Sequence, residues 1–170
     1  MIPLPASERI QVLLLDDDPD APLLARESAR HSPYQFAIYA ATTRCGFFEL
    51  GEIRPSAPML VDLVLPGDNS GIAIAQEARG RWPMRLLVGY TGLAMDSEQV
   101  REARAVGCFD MIAKKEVDDS KLWALIGLFL EAPASRRSDL AVAVQSGSLS
   151  ARLLGLLVGL HRAHLTLSSR

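Results

Sequence analysis

Pro58-Met59-Leu60-Val61-Asp62-Leu63-Val64-Leu65-Pro66-Gly67 is an apolar run with one acid in it. A run of this length closed by Pro-Gly reads as a buried strand followed by a turn. A carboxylate near the end of a buried strand is costly unless something compensates it. The question for the rest of the chain is what Asp62 meets.

Working outward, residues 10–15 form a short apolar strand that runs into Asp16-Asp17-Asp18-Pro19. Three adjacent carboxylates repel one another, so a cation is expected to compensate them. Pro19 and Pro22 suit the first turn of a helix that continues to Arg30 and ends at Ser32-Pro33. Residues 36–40 read as a second strand. Residues 43–53 read as a helix that buries Phe47, Phe48 and Leu50. Beyond the opening run, a helix over residues 72–79 stops before Pro83. Residues 84–89 make a fourth strand that delivers Tyr90-Thr91-Gly92. A helix over 97–106 ends at Gly107, a fifth strand over 109–113 ends at Lys114-Lys115, and a fifth helix covers 117–130. Strand and helix alternate five times, which predicts an α/β fold with a parallel sheet and helices on both faces.

In such a sheet, functional groups collect at the carboxyl ends of the strands, at the switch in strand order. Four strands end in polar groups: Asp16 and Asp17, Asp62, Thr91, and Lys114. A strand order of 2-1-3-4-5 makes the first and third strands neighbours and brings the acidic cluster to Asp62. Three carboxylates, a hydroxyl and an ammonium then converge. Oxygen ligands of this kind suit Mg²⁺. Asp62 is placed to act as a nucleophile toward a phosphoryl group. Thr91 and Lys114 are placed to contact that group's oxygens.

Taken together, Leu15-Asp16-Asp17-Asp18-Pro19, Asp62 through Gly67, Thr91-Gly92 and Gly107 through Lys114 resemble a receiver domain of bacterial two-component response regulators. The resemblance covers roughly residues 9–131 and implies a (βα)5 flavodoxin-like fold. It implies that Asp62 accepts a phosphoryl group from a histidine kinase or a histidine phosphotransfer protein. Asp17 and Asp62 would bind Mg²⁺ directly, Asp16 mostly through water, and the Val64 carbonyl would be a further ligand. Thr91 would be the switch hydroxyl and Lys114 the phosphate-binding lysine. The only chemistry implied is Mg²⁺-dependent self-phosphorylation and self-dephosphorylation, with no separate substrate. The chain departs from the family in three places. Met111 stands where the family has an aromatic that moves on activation, and Lys115 stands where it often has Pro. The loop at residues 67–71 is one residue longer. Val64 and Leu93 occupy the positions that tune phosphoryl lifetime, and neither side chain can orient an attacking water. Slow self-dephosphorylation is the expectation.

The 170 residues are 49% hydrophobic and 22% charged, a globular balance. The net charge of -2 gives no sign of a nucleic-acid binder. The charge is unevenly spread: residues 1–131 carry a net of -6 and residues 132–170 a net of +4. Cys45 and Cys108 lack metal spacing and read as reduced thiols. The N-terminus has no basic-then-apolar signal segment. The run at residues 153–160 is far short of the ~20 residues of a membrane span. A cytoplasmic protein is expected.

Residues 1–131 are read as the receiver, 132–148 as a linker, and 149–167 as a C-terminal helix. Leu149, Leu153, Leu156 and Leu160 fall at 4-3-4 spacing, a seam for another helix. In the fifth helix, Trp123 and Leu130 are apolar residues left over after the sheet-facing set. These features predict a dimerisation or docking surface, with a second copy or a downstream protein as partner and no DNA-binding output. His161 and His164 share a helix face without a third ligand.

Two other classes compete. A minimal nucleic-acid-binding tail would use the arginine excess of residues 132–170, but no helix pair of a recognition motif is visible there. A haloacid-dehalogenase-like phosphatase would use Asp16 as nucleophile and Asp18 as acid. That reading leaves Asp62 without a role. The plainest alternative makes Asp16-Asp17-Asp18 an ordinary helix cap.

Overall fold

Side chains alternate across a strand, so a strand buried on both faces must be apolar at every position. Val12, Leu13, Leu14 and Leu15 meet that requirement, and all four are fully buried. In the computed structural model they belong to β1 (Ile10–Leu15), an inner strand of a five-stranded parallel sheet. The structure describes residues 9–66, 70–83, 85–94, 96–108 and 110–113, with Trp123, Ile126, Gly127, Phe129 and Leu130 of the expected fifth helix. The linker and C-terminal helix expected at 132–148 and 149–167 lie outside the described residues, as do Leu153, Leu156 and Leu160.

The elements run β1, α1 (Ala21–Ala29), β2 (Phe36–Ala41), α2 (Arg44–Ile53), β3 (Met59–Asp62), α3 (Gly71–Arg81), β4 (Leu87–Thr91), α4 (Glu98–Ala105) and β5 (Asp110–Ala113). The sheet order is β2-β1-β3-β4-β5, the order that the receiver resemblance implies. Leu15 pairs with Val61, Asp62 with Tyr90, and Thr91 with Ala113. These registers bring the carboxyl ends of β1, β3, β4 and β5 level with one another.

Each face of the sheet has its own core. Leu13, Leu15, Met59, Val61 and Leu87 pack with Phe47, Phe48, Ile72, Ala75 and Val100 from α2, α3 and α4. Val12, Leu14, Leu60 and Val88 pack with Ala21, Ala25, Trp123, Ile126 and Phe129 on the other side. Side-chain oxygens accept backbone N–H groups at three helix starts: Thr43 from Gly46, Ser70 from Ile72 and Ser97 from Val100. Gly107, at φ +95°, follows α4 in the left-handed conformation glycine tolerates.

Three sequence expectations need correction. β4 starts at Leu87, not at residue 84. The chain first turns to bury Arg85, whose guanidinium donates to the Gly51 and Pro55 carbonyls and lies over the Trp82 ring. Leu50 is only half-buried, because Phe47 and Phe48 take the core positions of α2. Trp123 is 1% exposed, so it is not a leftover surface residue. Its indole N–H donates to Ser28 Oγ at 2.7 Å and its ring packs on Phe36. A side chain enclosed by its own fold has no face for a second copy. Leu130 is half-buried and packs on the same core.

Candidate functional site

β1 ends at Leu15, and the next residue, Asp16, hydrogen-bonds through its N–H to the Ala41 carbonyl at 3.2 Å. Because Leu15 pairs with Val61, Asp16 is level with Asp62. Both acids are buried, Asp16 2% and Asp62 4% exposed, while Asp17 is exposed. One carboxylate oxygen each from Asp16, Asp17 and Asp62 lie within 4.8 Å of one another. The donor set is all oxygen, from three acids on two neighbouring strand ends. That chemistry fits a small hard divalent cation such as Mg²⁺.

Local hydrogen bonds orient the two buried acids. Asp16 Oδ1 accepts the Asp18 N–H at 3.0 Å, and Asp62 Oδ1 accepts the Val64 N–H at 3.0 Å. Each carboxylate thus closes a turn with the residue two positions on. Asp18 has a different part. Its Oδ1 accepts the Asp20 N–H at 2.9 Å and its carbonyl accepts the Ala21 N–H, so it shapes the entry to α1. It is absent from the acidic cluster. Asp62, from the neighbouring strand, is the acid that joins Asp16 and Asp17.

Thr91 is fully buried at the end of β4, one residue past the Asp62–Tyr90 pair. Its hydroxyl accepts the Leu93 N–H at 3.2 Å and keeps its own proton to donate. Val64 is 53% exposed beside the cluster, and Leu93 is half-buried against the core. Met111 sits in β5 opposite Gly89. Lys114 directly follows Ala113, the partner of Thr91, but Lys114 and Lys115 lie outside the described residues.

Gly71, the first residue of α3, is a site residue that sequence reasoning missed. A Cβ there would overlap the Asp62 carbonyl oxygen and lie 2.6 Å from Leu63 Cα. Glycine lets the start of α3 press directly on the strand end that carries Asp62. The available signal was a glycine just after a Ser cap, where helix formation itself has no use for one.

No family model and no curated protein matches the sequence. Solved structures do match. A response-regulator receiver domain from Clostridium thermocellum superposes with a TM-score of 0.60 at 17% identity, over 76% of this chain and 97% of that one. This is the receiver fold. A LuxR-family two-component response regulator from Aurantimonas sp. gives a TM-score of 0.61 at 18% identity, over 84% of this chain and all of that one. The chemotaxis protein CheY4 of Vibrio cholerae gives 0.58 at 16% identity, over 69% of this chain and 96% of that one. In this receiver fold the acidic cluster occupies the carboxyl edge of the sheet, where open α/β sheets carry their sites. Among the described residues, no helix is long and apolar enough to cross a membrane.

Proposed function

We propose that the chain is a phosphoacceptor response regulator, with Asp62 as the residue phosphorylated by a histidine kinase or histidine phosphotransfer protein. The observation that carries this reading is the convergence of Asp16, Asp17 and Asp62 at two adjacent strand ends of a receiver fold. Asp16, Asp17, Asp62 and the Val64 carbonyl would hold Mg²⁺. When bound, Mg²⁺ supplies positive charge that offsets the carboxylates and the incoming phosphoryl oxygens.

An Asp62 carboxylate oxygen forms the new P–O bond as the donor's P–N bond breaks and its imidazole leaves. The Val64 N–H donates to Asp62 Oδ1 and so orients the Asp62 carboxylate. The Thr91 hydroxyl, with its proton free to donate, is the group that responds to the added phosphoryl oxygens. Lys114 is the cation expected to pair with them. Val64 and Leu93 carry no group able to orient water, which supports a long-lived phosphoaspartate. The new charge shifts the population of conformations around Thr91 and β5, and the output is a changed protein–protein contact, with a downstream protein or with a second copy. On this reading the chain acts on no separate substrate.

The test is labelling with acetyl phosphate, with and without Mg²⁺, followed by mapping of the modified residue. Mg²⁺-dependent modification of Asp62, lost in Asp62→Asn, is expected. Modification at Asp16 would instead support the phosphatase reading. A phosphoryl half-life of seconds would overturn the assignment of Val64 and Leu93.

A further inference from the structure

The amino edge of the sheet, opposite Asp62, carries a second concave site. The end of α1, the loop after it and the start of β2 border an open cavity of about 460 Å³. Arg9, Arg26, Arg30, Ser32, Tyr34 and Phe36 line it, and among the described residues no acidic side chain lines it. This convergence runs against the charge of the surroundings, since residues 1–131 carry a net of -6.

The groups are held in different ways. Arg26 Nη2 donates to the Ile38 carbonyl at 3.2 Å, which anchors one edge of its guanidinium and leaves its other N–H donors. Arg30 pairs with Glu27 at 2.6 Å, but both side chains are exposed, and such a pair yields readily to a competing anion. Ser32 Oγ accepts the Tyr34 N–H at 3.2 Å and retains a proton to donate. The Tyr34 and Phe36 rings stand 6.4 Å apart at 63°, forming a corner. Both rings are backed from behind. Phe36 packs on Trp123 at 4.9 Å, and Tyr34 packs against Gly127.

We propose that this cavity binds a phosphate-bearing small molecule with a planar group, of the size of a mononucleotide. Guanidinium groups bind phosphate oxygens in bidentate pairs, and the Tyr34–Phe36 corner offers a flat apolar wall for the planar part. The volume lies within the range of about 300–1,000 Å³ usual for small-molecule sites. The proposal does not rest on the reading of Asp62.

The test uses the full chain and AMP as probe, with adenosine and inorganic phosphate as its two halves, followed by amide NMR shifts and titration calorimetry. AMP is expected to shift the amides of residues 32–38 and to bind more tightly than either half. Arg30→Ala, an exposed substitution, is expected to weaken AMP by about tenfold. Arg26→Lys, which keeps the charge but loses the fork, should weaken it less, and Asp62→Asn should leave it unchanged. Three results would overturn the proposal: no shift in residues 32–38 at millimolar AMP, undiminished binding in folded Arg30→Ala, or binding that disappears with Asp62→Asn.

Discussion

Replacing Gly71 by Ala perturbs the contact between α3 and the strand end that carries Asp62. In an open helix the change would stabilise by about 0.5–1 kcal/mol, because glycine loses the most backbone freedom on folding. Here the added Cβ overlaps the Asp62 carbonyl oxygen and lies 2.6 and 2.8 Å from Leu63 Cα and Asp62 C. All three are backbone atoms, so no side-chain rotation relieves the contact. Overpacking costs about 1–3 kcal/mol even where side chains can adjust, so the net effect at Gly71 is a loss of about 1–3 kcal/mol. Gly80 in the same helix is the internal control, since a Cβ there meets nothing within 4 Å. Gly80→Ala should therefore raise stability by about 0.5–1 kcal/mol. For a chain of this size each kcal/mol moves Tm by about 2–4 °C. Urea and thermal unfolding of the two variants would show opposite signs. Acetyl phosphate labelling of Gly71→Ala should also fall, because α3 can re-seat only by moving Asp62. If Gly71→Ala proves as stable as Gly80→Ala and labels like the parent chain, the packing argument is wrong.

Burial pushes the Cys108 thiol up to about 11, and the hydrogen bond to Glu49 raises that of exposed Cys45. Near neutral pH, iodoacetamide should modify Cys45 alone in the folded protein, and faster in Glu49→Gln; equal rates at both thiols would refute this. Trp123→Phe removes the bond to Ser28 and part of a fully buried ring, and should cost about 1–3 kcal/mol in urea unfolding. A fall in oligomer mass without a loss of stability would show instead that Trp123 acts between copies. The hydrogen bond from Arg44 holds the Glu77 carboxyl below its ordinary value, with Arg81 adding to it. A lowered carboxylate stabilises the fold above its unfolded value, and that contribution is lost as pH falls through the lowered folded one. Glu77→Gln should cost less than about 1 kcal/mol near neutrality, as exposed pairs do, with the difference vanishing in acid; a difference that grew in acid would contradict the sign.

The alternation of strand and helix was legible because both signals are local. Apolar runs of four to six residues, Pro and Gly stops, and Ser or Thr before α2, α3 and α4 sit next to the residues they govern. The boundary of β4 was misjudged for a nonlocal reason. Arg85 is buried because α2, its following loop and Trp82 supply two carbonyls and a ring from other parts of the chain. Trp123 was misjudged in the same way, since its partners, Ser28 and Phe36, lie far back in the sequence.

For the site, the sequence by itself determined which groups stand at strand ends: Asp16, Asp17, Asp62 and Thr91 each follow or close an apolar run. Strand composition and strand direction are local properties, and they suffice for that. Only the tertiary structure decided which of these groups meet. The β1–β3 register sets Asp16 level with Asp62 and leaves Asp18 to its turn. Gly71 and the arginine cavity at the amino edge were likewise invisible in one dimension. The first depends on a helix start touching a strand end. The second depends on Arg9 being folded beside Arg26 and Arg30, because charges separated along a chain act together only after the backbone has brought them to one place.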